Sequence, residues 1–182
     1  MADADVVLPV TGLIYVGAVD AAAPTSLSAP GVAWTSLGNT SADNLPEFGS
    51  DGGKTDTLGT WQNPAIRTSV TAAVEQVKFK LDEFTNAAFQ LYYGQSSLTG
   101  AGAVVGRYDV NTVGHIEKAL LIIVQDGTHY VGFHASKASI GRDDSIKLDE
   151  TKLSELPLVA NILQSPTKPL FSWIGAGLGP AV

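Results

Sequence analysis

One stretch of the sequence resembles a phosphate-binding loop: residues 49–55, which read GSDGGKT. Such a loop surrounds a phosphate with backbone N–H groups, and it needs a glycine, four residues, and then Gly-Lys-Ser/Thr at the start of a helix. Only three residues separate Gly49 from Gly53, and no helical pattern follows. Because glycine, serine and aspartate are typical turn residues, we predict a hairpin turn at residues 50–53 instead of a nucleotide site.

The three histidines, His115, His129 and His134, lack the spacing of a metal site. Two ligands on one helix face are four residues apart, whereas His129 and His134 are five apart in a predicted strand and so point to opposite faces. His115 and Glu117 match the first half of a deaminase signature whose cysteines the chain does not have. No pair of carboxylates stands out as an acid–base dyad. The sequence therefore predicts no catalytic residue, no metal site and no cofactor.

The composition narrows the possible functions further. The 182 residues include no cysteine, which excludes disulfide bonds and thiol catalysis. A net charge of −7, from 11 basic and 18 acidic residues, does not suit a surface that grips nucleic acid. Charged residues make up only 16% of the chain, against about 25% in average proteins, and this depletion is typical of surfaces that contact a partner.

The N-terminus and the apolar runs indicate where the protein is made. Residues 1–5 are acidic, whereas a signal peptide begins with basic residues. No run approaches the roughly 18 apolar residues of a membrane helix. We therefore expect a soluble protein that is made in the cytoplasm and does not insert into a membrane.

Most of the chain has the two-residue apolar period of half-buried strands. Residues 13–19 and 156–163 are predicted strands. Residues 70–81 change phase at Glu75-Gln76, which predicts a β-bulge there. Asp126-Gly127 predicts a tight hairpin turn. The run 119–124 before it is apolar throughout, so we expect both its faces to be covered, one by the core and the other by a helix or another chain.

A single short helix is predicted at residues 87–93, capped by Thr85 or Asn86 and ended by Gly94. The apolar stripe that should face the core is formed by Ala88, Leu91 and Tyr92. The fold class is therefore mainly β: a β-sandwich or barrel, in one domain of residues 1–182, with one short flanking α-helix.

Three segments do not have the pattern of core elements: an N-terminal arm, 1–10, a long loop or hairpin arm, 41–64, and a C-terminal arm, 165–182. Irregular loops longer than about 12–15 residues are rare in compact domains unless they have a function. Apolar side chains on such segments need a covering surface, which is either another molecule or, for the termini, the protein's own core. The candidate interface residues are Val7, Leu8, Phe48, Asp51, Gly52, Gly53, Lys54, Leu58, Trp61, Phe171 and Trp173.

The order of several segments resembles the major tail protein, or tail tube subunit, of long-tailed, non-contractile bacteriophages (siphophages). The segments that carry the resemblance are 7–16 (VLPVTGLIYV), 34–41 (WTSLGNTS), 47–55 (EFGSDGGKT), 58–63 (LGTWQN), 67–69 (RTS) and 87–94 (AAFQLYYG). The similarity covers nearly the whole chain but rests on layout and short phrases, without a catalytic signature.

The resemblance implies a structural protein and not an enzyme. It implies a β-sandwich with extended arms whose copies form hexameric rings, and these rings stack into the tail tube of the virion after assembly in the host cytoplasm. The implied partners are other copies, a tape-measure protein in the lumen, and tail-terminator and distal tail proteins at the ends. DNA passes through without specific binding, and an acidic wall would repel its phosphates. Strand parity suggests Glu75, Asp82 and Glu117 as lumen-facing residues.

A second class of function stays open on the sequence alone. Trp34, Trp61 and Trp173 could stack on a sugar, as in a carbohydrate-binding β-sandwich module on a particle or cell surface.

Overall fold

The computed structural model describes residues 8–94 and 108–175 of the chain. Within these ranges the protein is mainly β, as the sequence predicts, with ten strands and one helix. The elements are β1 (Thr11–Gly17), β2 (Trp34–Ser36), β3 (Glu47–Gly52), β4 (Thr55–Leu58), β5 (Arg67–Val70), β6 (Ala73–Leu81), α1 (Asn86–Tyr93), β7 (Ile116–Asp126), β8 (His129–Arg142), β9 (Leu156–Ile162) and β10 (Ser172–Gly175).

Eight strands form one antiparallel sheet in the order β2-β1-β7-β8-β9-β6-β3, with β10 beside β8. Strand β8 has 14 residues, so its second edge pairs with β9 at 138–142 and with β10 at 131–134. Among the residues that the structure describes, the remaining two strands, β4 and β5, pair only with each other, in a separate ribbon.

The extended segment 34–41 links the two ends of this sheet. At one end the Leu37 N–H donates a hydrogen bond to the Ile14 carbonyl of β1 (2.9 Å), and at the other the Ser41 N–H donates to the Lys80 carbonyl of β6 (3.1 Å). Side chains of β1 and β6, the strands next to the two ends, also belong to one core. The sheet therefore curls around that core, which we call the main core.

Helix α1 packs on the main core in the way the sequence predicts. The Thr85 side chain accepts a hydrogen bond from the Ala88 N–H (3.2 Å), and Gly94 ends the helix in the left-handed conformation, with φ of +69°. Ala88, Leu91 and Tyr92 are buried. The helix has eight residues, and no helix in the described ranges is long and apolar enough to cross a membrane.

Strand β7 is covered on both faces, as its apolar run predicts, but the prediction about the second cover is wrong. Leu120 and Ile122 face the main core. The opposite side, which we call the outer face, is covered by segments of the same chain that are not helical: Trp34 of β2 and the connection between β1 and β2. The buried residues there are Trp34, Ala119, Leu121 and Ile123, with Tyr15, Ala21, Leu27 and Tyr130 around them.

The hairpin predicted at Asp126-Gly127 is confirmed. Strands β7 and β8 pair down to Asp126 and His129, and Gly127 turns the chain with φ of +58°. Glycine at the first loop position meets the need for positive φ in this kind of tight turn.

The bulge predicted at Glu75-Gln76 is wrong, because β6 pairs without interruption with β3 and with β9. The apolar residues before it, Val70 and Val74, are exposed and do not belong to the core face of Val77. The change of phase instead falls where β6 begins to pair with β9, at Gln76, since residues 73–75 pair with β3 alone. The irregular register lies between β7 and β8. The two steps from Lys118 to Leu120 on β7 lie opposite three steps on β8, from Ala138 to Ala135, so β8 has one extra residue there.

Candidate assembly surfaces

A two-stranded ribbon that projects from the sheet carries several strongly exposed apolar side chains. It consists of β4 and β5, whose eight residues are all exposed, and of a tip at residues 59–66. Trp61 at the tip is 98% exposed, and Leu58 and Ile66 beside it are also exposed. We call residues 53–72 the arm.

The arm continues two strands of the main sheet. Strand β3 pairs with β6, and the chain bends at Gly52 and Gly53, both with positive φ, before β4 begins. The Thr71 N–H donates to the Lys54 carbonyl (2.9 Å), which keeps the ribbon in register across the bend. The turn predicted at residues 50–53 is therefore wrong: Asp51, Gly52, Gly53 and Lys54 form this bend, and the hairpin turns at 59–66.

The tip is held by its own hydrogen bonds. The Thr60 N–H donates to the Asn63 carbonyl (2.7 Å), the Asn63 N–H donates back to the Thr60 carbonyl (3.1 Å), and the Ile66 N–H donates to the Leu58 carbonyl (2.9 Å). The tip thus presents Trp61 on an ordered turn, so little backbone entropy remains to be lost on binding.

A cluster of four aromatic rings joins the predicted arm 41–64 to the predicted C-terminal arm 165–182. Phe48 of β3 lies 5.0 Å from Phe133 of β8 and 5.1 Å from Trp173 of β10, measured between ring centroids. Phe133 also contacts Phe171, at 5.4 Å. Phe133 is buried, whereas Phe48 is 41% and Trp173 is 45% exposed. The cluster therefore seals one part of the main core while leaving two ring faces for another surface.

Sequence reasoning named three members of this aromatic cluster but missed Phe133, which brings them together. Phe133 pairs with Trp173 across β8 and β10, a contact between residues far apart in the chain. The residues that follow the predicted Asp126-Gly127 turn have the composition of a strand, but this local pattern does not indicate which residues contact Phe133. The protein's own body covers the start of the C-terminal arm: Phe171 packs against the main core, and residues 172–175 pair with β8. Residues 176–182 lie outside the described ranges.

The N-terminal candidates lie at a different place. The Leu8 N–H donates to Asp126 Oδ2 (3.0 Å) at the turn of the β7–β8 hairpin, and the Leu8 side chain is exposed. Leu8 is thus tied to a hairpin turn of the body. Val7 lies outside the described residues.

The three acidic candidates do not share one face. Glu75 has the parity of Val77 and lies on the main-core side of β6, whereas Asp82, seven residues further on, has the opposite parity. Glu117 lies on the outer face of β7, 3.1 Å from Lys137 Nζ. Burial raises the pKa of Asp82, and the nearby negative charge of Glu155 raises it further.

A charged network fixes the base of the segment that leads to β3. Glu155 accepts hydrogen bonds from Ser41 Oγ (2.5 Å), Asn44 Nδ2 (2.6 Å) and Lys80 Nζ (2.8 Å). The hydrogen bond from Lys80, followed by that from Ser41, lowers the pKa of Glu155. In the part of the chain that the structure describes, no three His, Asp or Glu side chains are grouped to hold a metal ion.

The three tryptophans do not form a common platform. Trp34 is buried on the outer face of β7, with its ring edge-on to His134 at 5.6 Å. Trp61 is at the tip of the arm, and Trp173 belongs to the aromatic cluster. A sugar could therefore contact only one of the two exposed rings at a time, and nothing in the geometry favours the carbohydrate-binding alternative.

Comparison with known proteins agrees with the resemblance found in the sequence. The family described as "Phage tail tube protein" matches residues 1–181. The chain is 36% identical to the "Major tail protein Gp23" of Mycobacterium phage L5 over 189 aligned residues, which cover 97% of this chain and 93% of that protein. It is 35% identical to the protein of the same name from Mycobacterium phage D29, with the same coverage.

Proposed function

The chain belongs to the phage tail tube protein family as a major tail protein of the virion tail, and we propose that its copies form hexameric rings that stack into the tube. In this proposal the lumen holds the tape-measure protein during assembly and conducts the viral DNA into the host during ejection. Tail-terminator and distal tail proteins close the two ends. The role is structural, without enzymatic activity.

The arm is the observation that carries this proposal. A two-stranded ribbon is marginally stable by itself in water, and this one has no exposed-to-buried alternation, since all its strand residues are exposed. Burial of apolar surface contributes about 25 cal/mol per Å², so contact with a neighbouring copy would stabilise the ribbon and join the copies at once. Exposed apolar side chains such as Trp61 do not stabilise a monomer, but they stabilise a contact between copies, which a tube subunit must form.

The aromatic cluster supports a second contact between copies. Phe48 and Trp173 are the half-exposed rings of an otherwise packed group, and aromatic side chains are enriched at the centres of protein interfaces. The arm and the cluster lie on different parts of the subunit, as contacts along the tube and around a ring require.

The outer face of the sheet supports the passage of DNA. Its cross-strand partners Glu117, Ser139, Asn161 and Gln76 form a polar row across β7, β8, β9 and β6. Asp82 continues the same parity beyond β6. We propose this face, with Glu117 and Asp82, as the lumen wall, and we remove Glu75 from the candidates because it lies on the other face. The lysines of this face, Lys78, Lys80 and Lys137, are paired with the carboxylates of Asp143, Glu155 and Glu117. Because these cations are already paired, DNA phosphates would gain little counterion release from binding to the wall.

Electron microscopy of the purified protein tests the proposal. We expect rings or tubes to appear as the protein concentration rises, with matching large species in sedimentation velocity. A variant in which residues 59–66 are replaced by Asn-Gly should remain folded, because that segment is solvent-exposed, and it should not form tubes. The proposal is wrong if the wild-type protein stays monomeric at every concentration and salt condition.

A further inference from the structure

The two faces of the arm differ in chemistry. Residues opposite each other in an antiparallel pair share a face, and the pairing joins Thr55 with Val70 and Thr57 with Thr68 on one side. All four are β-branched and exposed, and we call them the uncharged face. The other side, which we call the charged face, carries Lys54, Asp56, Leu58, Arg67, Ser69 and Thr71.

The cost of burial differs strongly between these faces. Covering the charged face would remove water from two cations and a carboxylate, and a buried charge needs a well-placed partner to offset its desolvation. Covering the uncharged face removes water mainly from methyl groups and hydroxyls on a regular pleated surface, where β-branched side chains pack well. The uncharged face is therefore the one suited to the dry centre of a contact.

The charge balance of the chain indicates what covers that face. The arm has two cations, Lys54 and Arg67, against one carboxylate, Asp56, a net charge of +1. The whole chain carries −7, which leaves −8 on the rest. Two arms therefore repel each other weakly, whereas an arm is attracted to the body of another copy. Cations at the rim of a contact steer association without being buried in it.

We propose that the uncharged face of the arm packs against the body of a second copy of this chain while its charged face remains in contact with solvent. This inference rests on the proposed function and adds the orientation of the arm in the assembly. Lys54 and Arg67 lie at the rim, where they guide the arm toward the negatively charged neighbour.

The lack of cysteine gives a direct test with one matched pair of variants. Thr68→Cys and Ser69→Cys each introduce a single thiol, at adjacent exposed positions on opposite faces of the same strand. The rate of maleimide labelling is measured for each variant in assembled tubes and in dissociated subunits. We expect assembly to slow the labelling of the Thr68→Cys variant by at least about tenfold, which corresponds to a cost of about 1.4 kcal/mol for opening the contact, and to leave the Ser69→Cys rate unchanged.

A second pair of variants tests the energetics. Thr68→Lys and Ser69→Lys add the same charge at the two positions, and the lysine at position 69 faces Asp56 across the ribbon. We expect the critical concentration for assembly to rise by about 100-fold for Thr68→Lys, because a buried, unpaired charge is costly, and by less than about threefold for Ser69→Lys, at an exposed rim.

The outcomes separate this inference from the proposed function. Wild-type protein that forms no assembly overturns both. Tubes in which both thiols react equally, or in which the Ser69→Cys thiol is the protected one, overturn the orientation alone and leave the tube subunit in place.

Discussion

The substitution Trp61→Ala tests most directly whether the arm joins the copies. Trp61 is 98% exposed at the tip of the arm, so its loss removes little that stabilises the subunit itself. An exposed substitution of this kind changes the free energy of unfolding by no more than about 0.5 kcal/mol. The thermal midpoint of the dissociated subunit should therefore equal that of the wild type.

The effect on assembly should be much larger. A tryptophan side chain buries roughly 150–250 Å² when fully covered, which at about 25 cal/mol per Å² corresponds to about 4–6 kcal/mol. If the neighbour covers half of the ring, about 2 kcal/mol is lost, or roughly 30-fold in the association constant. We expect the critical concentration for tube formation to rise by at least that factor, as measured by light scattering and sedimentation.

Val32→Ala is the control for a general effect of exposed apolar residues. Val32 is fully exposed in the connection between β1 and β2, away from the arm, and its removal should leave the critical concentration unchanged. If Trp61→Ala assembles at the wild-type concentration while its fold is intact, the role assigned to the arm tip is wrong.

Two further predictions concern the subunit. Burial lowers the pKa of His134, so below about pH 6.5 the unfolded chain binds more protons than the folded protein. The free energy of unfolding therefore decreases as the pH falls from there through the pKa of the folded state. Between pH 7.5 and 5 the thermal midpoint should fall more in the wild type than in His134→Gln, and equal slopes would contradict this. Gly52 has φ of +93°, and an added Cβ would lie 2.8 Å from the Ala72 carbonyl oxygen. Gly52→Ala should lower the free energy of unfolding by more than about 1 kcal/mol, whereas Gly49→Ala, where a Cβ has open space, should cost less in the same denaturant titration.

The features that the sequence predicted correctly depend on near neighbours in the chain. Thr85 and Gly94 bound the helix because a capping hydroxyl and a left-handed glycine act within one turn. Gly127 sets a hairpin whose two strands begin next to it. Such signals lie within a few residues of what they determine, so the sequence alone was sufficient.

The features that were missed depend on contacts between distant segments. The glycines at 52 and 53 have turn chemistry, but the chain only bends there, because β3 pairs with β6 and not with β4. The second cover of β7 is a loop whose path no local pattern revealed. In the aromatic cluster, Trp173 meets Phe133 only through the pairing of β10 with β8.

The register of β6 decides which acidic side chains share a face of the sheet. A bulge at Glu75-Gln76 would have placed Glu75 on the same face as Asp82, because an extra residue reverses the parity of a strand. The uninterrupted pairing of β6 puts the two carboxylates on opposite faces. A single shifted residue thus decides which acidic side chains can line a common wall.

The arm leaves the body as a continuation of β3 and β6, and this governs how the subunit bears mechanical load. Six residue pairs join β3 to β6, and six more join β6 to β9. Tension passed from the arm along β3 and β6 loads these hydrogen bonds together as shear, whereas a pull perpendicular to the two strands would break them one after another. A tail whose subunits are stretched along these strands would therefore meet the stiffer of the two responses.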